Sequence, residues 1–247
     1  LKMVNHIHAK TKIKNLCIGG GVALNGVANY KILSEGPFEN IHIPPSPGDA
    51  GSAVGAAQYL YYVYHKNPKN TLDNTQLIKE NVYVGPSFSN KEVKTFLDSE
   101  NISYESFDET TLLKKTAQLI ADGNIVGWYQ GKMEWGPRAL GNRSILADPR
   151  NGKMKDILNE KIKHRESFRP FAPSIMEEYA SDYFDIDVSS PYMLMVAKVK
   201  QPDKIPAVTH VDGTGRLQTV SAESNPLYYN LIREFYSITN IPVIINT

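Results

Sequence analysis

Cysteine is nearly absent from the 247-residue sequence, which contains only Cys17. A single thiol excludes a disulfide framework and a cysteine-based zinc site, and it is typical of proteins from a reducing compartment. Long apolar runs are also absent, because Tyr59 to Tyr64 and Tyr192 to Ala197 fall far short of the ~20 residues that a membrane span needs. We therefore expect a cytoplasmic protein with no membrane partner.

Net charge is small, since 27 Lys and Arg residues face 26 Asp and Glu residues. No overall field therefore favours nucleic acid. The arginines are unevenly placed, because none of the seven lies in the first 137 residues and five lie between 138 and 169. Segment 131–169 holds ten Lys and Arg residues against five acids, whereas the rest holds 17 against 21. This distribution predicts a local basic patch.

Strand-like and helix-like stretches alternate along the chain, which predicts an α/β fold. The predicted strands are 15–18, 41–43, 125–129, 192–199 and 242–245. The main predicted helices are 22–35, 108–122, 153–164, 226–238 and one that starts at Asp49 and runs into the aromatic stretch 59–64. A polar stretch suggests two domains, 1–66 and 83–247, joined by a linker at 67–82. Because the sequence opens on Leu1 and stops within an apolar run, we expect a fragment of a longer protein.

Two candidate sites lie in the first 60 residues. Gly19–Gly21 follows a predicted strand and precedes a predicted helix, so it is either an anion site built from backbone N–H groups or a tight turn. Asp49 follows Ser46-Pro47-Gly48 at the start of a helix. Its residue type favours a helix N-cap, with a metal ligand as the alternative.

Two arginines are candidates for binding an anion. Arg138 lies in the glycine-rich loop Gly136–Ser144, and Arg169 stands between Phe168 and Phe171. The guanidinium fork matches phosphate and carboxylate oxygens in pairs. For Arg150, Lys153 and Lys155 the better interpretation is a solvated face with ordinary surface pairs.

Four segments together resemble the O-carbamoyltransferases of the nodulation-factor and antibiotic-modifying type. They are Gly19–Asn25 (GGGVALN), Pro47–Ala57 (PGDAGSAVGAA), Glu134–Arg150 (EWGPRALGNRSILADPR) and Lys163–Ser174 (KHRESFRPFAPS). The resemblance implies the C-terminal piece of an actin-like (ASKHA) domain followed by a YrdC-like α/β domain with a twisted sheet.

The resemblance also implies a reaction. The YrdC-like domain of this family forms carbamoyl-adenylate from carbamoyl phosphate and ATP, and the ASKHA domain passes the carbamoyl group to a hydroxyl of a small-molecule or sugar acceptor. A divalent metal, iron or magnesium-like, belongs to the ASKHA domain, with its remaining ligands outside this chain. A homo-oligomer is compatible with the resemblance, and no nucleic-acid partner is expected.

Matching motif positions assign candidate residues. The contacts to carbamoyl phosphate and the adenylate are Arg138, Lys163, Arg169 and Arg216, with Arg143, Ser144 and Arg165 as second choices. His210, close to Arg216 in sequence, takes part in the chemistry or is structural. In the first domain the resemblance assigns Gly20, Gly21 and Asn25 to the nucleotide and turns Asp49 from a cap into the metal ligand.

Two other functions stay open: a threonylcarbamoyl-adenylate enzyme of tRNA modification, and a nucleotide- or anion-binding module without catalysis. The order of the two modules and the Gly-Pro-Arg-Ala-Leu-Gly block favour O-carbamoyl transfer over the first. The sequence ends at Thr247, where the family continues into a Ser-Phe-Asn segment. A chain that folds and binds anions without completing the reaction is therefore also expected.

Overall fold

Helices and strands alternate through the residues that the computed structural model describes, which are 1–68, 82–166 and 168–247. The α/β prediction is confirmed. The linker predicted at 67–82 lies almost entirely outside these residues, so it stays a prediction. Within the described ranges, no helix has both the length and the apolar character that a membrane crossing requires.

A parallel strand pair organises the N-terminal part. The elements, in chain order, are α1 (Lys2–Thr11), β1 (Asn15–Cys17), α2 (Gly26–Glu35), β2 (Asn40–His42) and α3 (Asp49–Gln58). Leu16 of β1 lies opposite Ile41 of β2, and α2 forms the crossover between the two strands. The carboxyl ends of both strands therefore point to the same edge, where the Gly19–Gly21 loop and the loop before α3 meet.

A five-stranded mixed sheet organises the C-terminal part. Its strands are β3 (Val126–Tyr129), β4 (Arg143–Ala147), β5 (Ala172–Met176), β8 (Gln218–Val220) and β9 (Val243–Asn246). The spatial order is β3-β4-β9-β5-β8, and β5 with β8 is the parallel pair. Two short strands, β6 (Ala197–Lys198) and β7 (Thr214–Gly215), form a separate antiparallel pair.

The helices of this part provide most of the core. They are α4 (Asn90–Ser99), α5 (Glu109–Ala121), α6 (Met154–Leu158), α7 (Ala180–Tyr183) and α8 (Pro226–Thr239). Helices α5 and α8 pack on each other, while α5 contacts β3 and β4 and α8 contacts β5 and β9. Ile120, Phe235 and Ile244 are fully buried in this layer. Burying each such side chain stabilises the fold by about 1.5–3 kcal/mol.

Several predicted elements differ from the structure. The strand predicted at 192–199 is paired only at Ala197–Lys198, because Met193 adopts a left-handed backbone and the Leu194 carbonyl accepts from a side chain. Its apolar residues are buried without forming a ladder. The helix predicted at 153–164 is α-helical only to Leu158 and then widens into a π-turn. Strands β4, β5 and β8 were not predicted, and β5 contains Pro173.

The N-terminal part docks on the segment before β6 through α2. Buried Asn29 donates from Nδ2 to the carbonyls of Ala23 and Leu194, at 2.8 and 2.9 Å. The Val196 amide donates to the Gly26 carbonyl at 3.1 Å. A Cβ on Gly26 would lie 2.8 Å from Val196 Cγ2, so this contact requires glycine.

Gly141 is a second position where the backbone demands glycine. Its φ is +104°, and a Cβ there would overlap the buried ring of Tyr228. We expect Gly141→Ala to lower the free energy of unfolding by roughly 3 kcal/mol or more, because overpacking adds to backbone strain. Chemical denaturation of the intact protein measures this change.

Gly123→Ala is the matched control. Gly123 has φ +88°, but nothing lies within 4 Å of the added Cβ, so only the strain of about 1–2 kcal/mol is expected. Equal losses at the two positions would contradict the packing role of Gly141.

Candidate functional site

The loop that carries Arg138 is held by one buried carboxylate. Glu134 is only 7% exposed, and its Oε1 accepts from the backbone amides of Leu140, Asn142 and Arg143, at 2.7, 3.1 and 3.1 Å. Its Oε2 is buried and has no hydrogen-bond partner in the part of the chain that the structure describes. Hydrogen bonds to a charged acceptor are about twice as strong as neutral ones. Glu134 therefore fixes the turn between Gly136 and Arg143.

Side chains from the sheet and from Tyr83 hold the carbonyl groups of the same loop. Gln218 Nε2 and the Tyr83 hydroxyl both donate to the Leu140 carbonyl, at 3.0 and 2.8 Å. Asn246 Nδ2 lies 3.2 Å from the Ala139 carbonyl and 2.9 Å from Gln218 Oε1. Gln218 and Asn246 are buried. The loop is therefore fixed at its carbonyl groups as well as at its amides.

Arg143 and Ser144, two second-choice contacts, support the loop. The guanidinium of Arg143 donates to four backbone carbonyls and lies 3.6 Å from the centre of the Tyr129 ring. Ser144 Oγ is buried and accepts from the Gly141 amide at 3.0 Å. Both side chains are hydrogen-bonded to this loop and its neighbours, so their contact with a ligand stays a prediction.

Arg138 and Arg216 form the centre of a group of positive charges. Repulsion from Arg138 and Arg165 adds to burial in lowering the pKa of Arg216 to about 10, and burial also lowers the pKa of Arg138. The Nε atoms of Arg138 and Arg216 are both buried, and no described residue accepts a hydrogen bond from them. An unpaired buried donor costs about 1–3 kcal/mol, so these atoms indicate a missing acceptor.

Arg165 reaches the same place from the end of the π-turn, and Lys163 lies close to Arg165. Left-handed His164 separates them, and Arg165 Nε donates to Asn159 Oδ1 at 2.7 Å while its guanidinium lies 4.7 Å from the Phe171 ring centre. Burial and repulsion from Arg165 lower the pKa of Lys163. We call Arg138, Lys163, Arg165 and Arg216 the cationic cluster. Salt bridges to Arg138, Lys163, Arg165 or Arg216 are absent from the described residues.

Arg169 lies at the edge of the cationic cluster. Its Nε is 3.1 Å from Glu166 Oε2, and both side chains are more than half exposed. The position of Arg169 between Phe168 and Phe171 in the sequence indicates an oriented side chain, but the structure shows this side chain more than half exposed. Phe168 is exposed, and the guanidinium over Phe171 is that of Arg165.

His210 lies beside Arg216 at the start of the turn into β7. Burial, together with repulsion from Arg216 and Lys155, lowers its pKa, and attraction to Asp212 only partly opposes this. Lys155, assigned from the sequence to a solvated face, is thus near His210. The expectation of an ordinary surface pair for Arg150 is wrong, because its partner Asp148 is buried. Nη2 of Arg150 donates to Asp148 at 2.6 Å and to the Ala121 carbonyl at 2.9 Å.

The glycine loop of the N-terminal part differs from its prediction. The Gly20 amide donates to the Pro47 carbonyl at 2.7 Å, and residues Gly21–Leu24 form a short 3₁₀ turn. The helix predicted from Val22 begins only at Gly26, because Asn25 caps it by accepting from the Ala28 amide at 3.1 Å. Gly20 and Gly21 therefore do not stand at the N-terminus of an α-helix. Their contact with a nucleotide, like that of Asn25, stays a prediction.

Asp49 is exposed and is the first residue of α3, while Gly48 occupies the N-cap. The expectation that Asp49 is the cap was therefore wrong. Residues 1–68, 82–166 and 168–247 contain no group of three His, Cys, Asp or Glu side chains that could hold a metal ion. The described residues thus do not form a metal site around Asp49, and its assignment as a ligand stays a prediction.

A cleft of about 950 Å³ lies between the two parts of the chain. Gly20 and Asp49 line it on one side, and Trp135, Tyr192 and Leu194 line it on the other. Next to Trp135, the Cα of Gly136 is close to the first part, since a Cβ there would lie 3.4 Å from Ser46 Cβ. The loop that carries Arg138 therefore borders the cleft that contains the N-terminal candidate residues.

Sequence reasoning missed the residues that hold the loop. Glu134 belonged to the block that carried the resemblance, but no role was given to it, and Gln218 and Asn246 were not singled out. A glutamate next to Trp135 and a glycine loop was the available indication for the first. The other two are recognisable only once β8 and β9 place them under the loop.

The fold and the cationic cluster define a mixed α/β protein with a site suited to a polyanionic ligand. Protein-family models for the carbamoyltransferase C-terminus and N-terminus match residues 117–247 and 1–58. The chain belongs to the carbamoyltransferase family.

Curated relatives cover the whole chain. It is 43% identical to an uncharacterized protein of Synechocystis sp., a match over 100% of this chain and 44% of that protein. It is 40% identical to nodulation protein NolO of Bradyrhizobium diazoefficiens, over 99% of this chain and 44% of that protein. The chain thus spans less than half the length of these relatives. The structure of HypF from T. kodakarensis matches 85% of this chain and 32% of its own, at 16% identity and a TM-score of 0.40, which establishes no common fold.

Removing the Glu134 carboxylate tests its hold on the loop. We expect Glu134→Ala to lower the free energy of unfolding of the intact protein by about 3 kcal/mol, because three amides lose their acceptor. Glu134→Gln keeps one acceptor oxygen, and its loss is expected to be about half as large. Denaturant titration measures both. Unchanged stability in Glu134→Ala would show that the loop does not depend on this carboxylate.

Proposed function

We propose that the chain supplies the carbamoyl-adenylate-forming site of an ATP-dependent O-carbamoyltransferase. The cationic cluster binds the phosphate groups of carbamoyl phosphate and ATP, and Arg169 contributes from its edge. The observation that carries this proposal is the convergence of Arg138, Arg165 and Arg216, with two guanidinium nitrogens buried and unpaired among the described residues. Membership of the carbamoyltransferase family supports the carbamoyl group as the group transferred.

Electrostatics supports a ligand with several negative charges. Buried charges of one sign repel each other, and desolvation adds a cost that no described carboxylate offsets at Arg216. A phosphate presents acceptor oxygens to several guanidinium groups at once, and each charge-assisted bond contributes about 1.5–3 kcal/mol. The bound polyanion would therefore satisfy the unpaired nitrogens and remove the repulsion together.

The proposed reaction also requires a site that binds several negative charges. Carbamoyl phosphate, ATP and one water give carbamoyl-adenylate, pyrophosphate and phosphate, with the water supplying the oxygen that balances the equation. Two anionic substrates must approach, and negative charge develops on each departing phosphate. Fixed guanidinium and ammonium groups offset the repulsion between the two substrates and stabilise the charge on the departing phosphates. They do so without reorganising.

In this proposal the carbamoyl group is transferred to its acceptor in the cleft. A small-molecule or sugar hydroxyl would receive the carbamoyl group near Gly20 and Asp49, which line the cleft, and the 950 Å³ volume suits a ligand of that size. Since the described residues do not complete a metal site, we derive no step through a metal ion.

Arg216→Met tests the site through two opposed effects. Carbamoyl phosphate binding to the intact protein should weaken by roughly 2–4 kcal/mol. The free energy of unfolding should stay equal or rise, because an unpaired buried charge is replaced by an apolar side chain. Calorimetry and denaturant titration measure the two quantities, and carbamoyl-phosphate-dependent exchange of pyrophosphate into ATP should fall in parallel.

Arg150→Met is the matched control, because Arg150 is satisfied by Asp148. We expect it to lower stability and to leave carbamoyl phosphate binding unchanged. Equal binding in the wild type and Arg216→Met would remove Arg216 from the site. Binding without exchange in the wild type would favour an anion-binding module, and exchange that needs threonine and bicarbonate would favour threonylcarbamoyl-adenylate formation.

A further inference from the structure

His210 belongs to a three-residue hydrogen-bonded chain at the edge of the cationic cluster. Its Nδ1 lies 3.1 Å from Thr214 Oγ1, and Thr214 Oγ1 donates to Asp212 Oδ1 at 2.7 Å. A tight turn holds the three together, since the His210 amide donates to the Thr214 carbonyl at 2.7 Å and the Gly213 amide to the His210 carbonyl at 3.0 Å.

The direction of these bonds fixes the position of the histidine proton. Asp212 also accepts from the Thr214 amide, and these bonds lower the pKa of its carboxyl, so it is ionised and can only accept. The hydroxyl of Thr214 has one hydrogen, which it gives to Asp212. Its lone pair must therefore accept from Nδ1–H of His210, which leaves the lone pair of the neutral ring on Nε2.

The Nε2 atom of His210 is a hydrogen-bond acceptor, and the charged groups near the ring are donors. Nε2 is buried and has no hydrogen-bond partner among the described residues. The neighbouring charges, Arg216 and Lys155, carry donors only and disfavour a second proton on the ring. A ligand that fits here brings oxygens for the guanidinium groups and an N–H or O–H for Nε2.

We propose that His210 determines specificity for the carbamoyl group by accepting a hydrogen bond at Nε2 from its NH₂. This inference rests on the proposed function, in which the phosphate of the same molecule lies on Arg216. Of the small acyl phosphates, carbamoyl phosphate places an amide NH₂ where acetyl phosphate has a methyl group. A methyl group would leave the buried Nε2 unpaired, and sites built around such a bond reject analogues that lack it.

Two stable phosphonates test the contact with the amide in the absence of any reaction. Phosphonoacetamide carries the NH₂ group, and 2-oxopropylphosphonate carries a methyl group in its place. With the intact protein we expect calorimetry to give at least about ten-fold tighter binding of phosphonoacetamide. Inorganic phosphate, which tests the cationic cluster without the amide, serves as the reference ligand.

Variants of His210 distinguish the role of its acceptor atom Nε2 from that of its planar ring. His210→Phe keeps a planar ring without a nitrogen, and it should bind both phosphonates equally while binding phosphate as the wild type does. His210→Gln carries an acceptor oxygen near the position of Nε2 and should keep part of the preference. Thr214→Val removes the hydroxyl that fixes the proton of His210 on Nδ1. It should therefore reduce the preference for phosphonoacetamide although His210 is still present.

The outcomes are distinct. No preference in the wild type, or a preference that survives in His210→Phe, would overturn the assignment while phosphate binding keeps the proposed function intact. Loss of turnover in His210→Phe with an unchanged binding preference would likewise overturn it, because His210 would then act in chemistry. If neither the phosphonates nor phosphate bind the wild type, the proposed function fails first, and this inference fails with it.

Discussion

Repulsion among the half-buried guanidinium groups of the cationic cluster is the constraint on which the arrangement of the C-terminal part depends. Arg138, Arg165 and Arg216 come from three separate segments and would move apart if their backbones were free. The backbones are held by neutral and anionic groups one layer away: Glu134 under the Arg138 loop and Asn159 beside Arg165. Rigid support of this kind keeps positive charge in place before a ligand arrives.

The same arrangement explains why polar residues line the sheet beneath the loop. Gln218, Asn246 and Ser174 are fully buried and hydrogen-bond to one another, at positions where apolar residues would pack more simply. Their donors reach the carbonyls of Ala139 and Leu140, so the network extends the sheet into an irregular loop. Asn246 Oδ1 has no hydrogen-bond partner among the described residues. The other bonds of the network pair the loop carbonyls, which an apolar surface would leave unpaired.

The sequence was sufficient for the class and much of the element order, but less so for the site. Periodicity identified α5 and α8 because long amphipathic helices repeat over several turns, whereas β5 and β8 escaped because a proline and buried polar residues hid their strand pattern. The density of positive charge in 131–169 indicated Arg138, Lys163 and Arg165, whereas Arg216 was assigned only through the resemblance. The sequence could not separate Arg143, which is occupied by carbonyls, from Arg216, which is unpaired, since that difference arises only from tertiary contacts.

Chain geometry also connects the cationic cluster to the cleft. Trp135 lines the cleft with Gly20 and Asp49, and Arg138 follows three residues later. Because an extended chain advances at most about 3.6 Å per residue, the Cα atoms of Trp135 and Arg138 lie within roughly 11 Å. In the proposed reaction the mixed anhydride formed on the cations is prone to hydrolysis, so a short path to the acceptor lowers its exposure to water. One loop, anchored by Glu134 and packed on Ser46, thus sets both the position of Arg138 and its distance from the cleft.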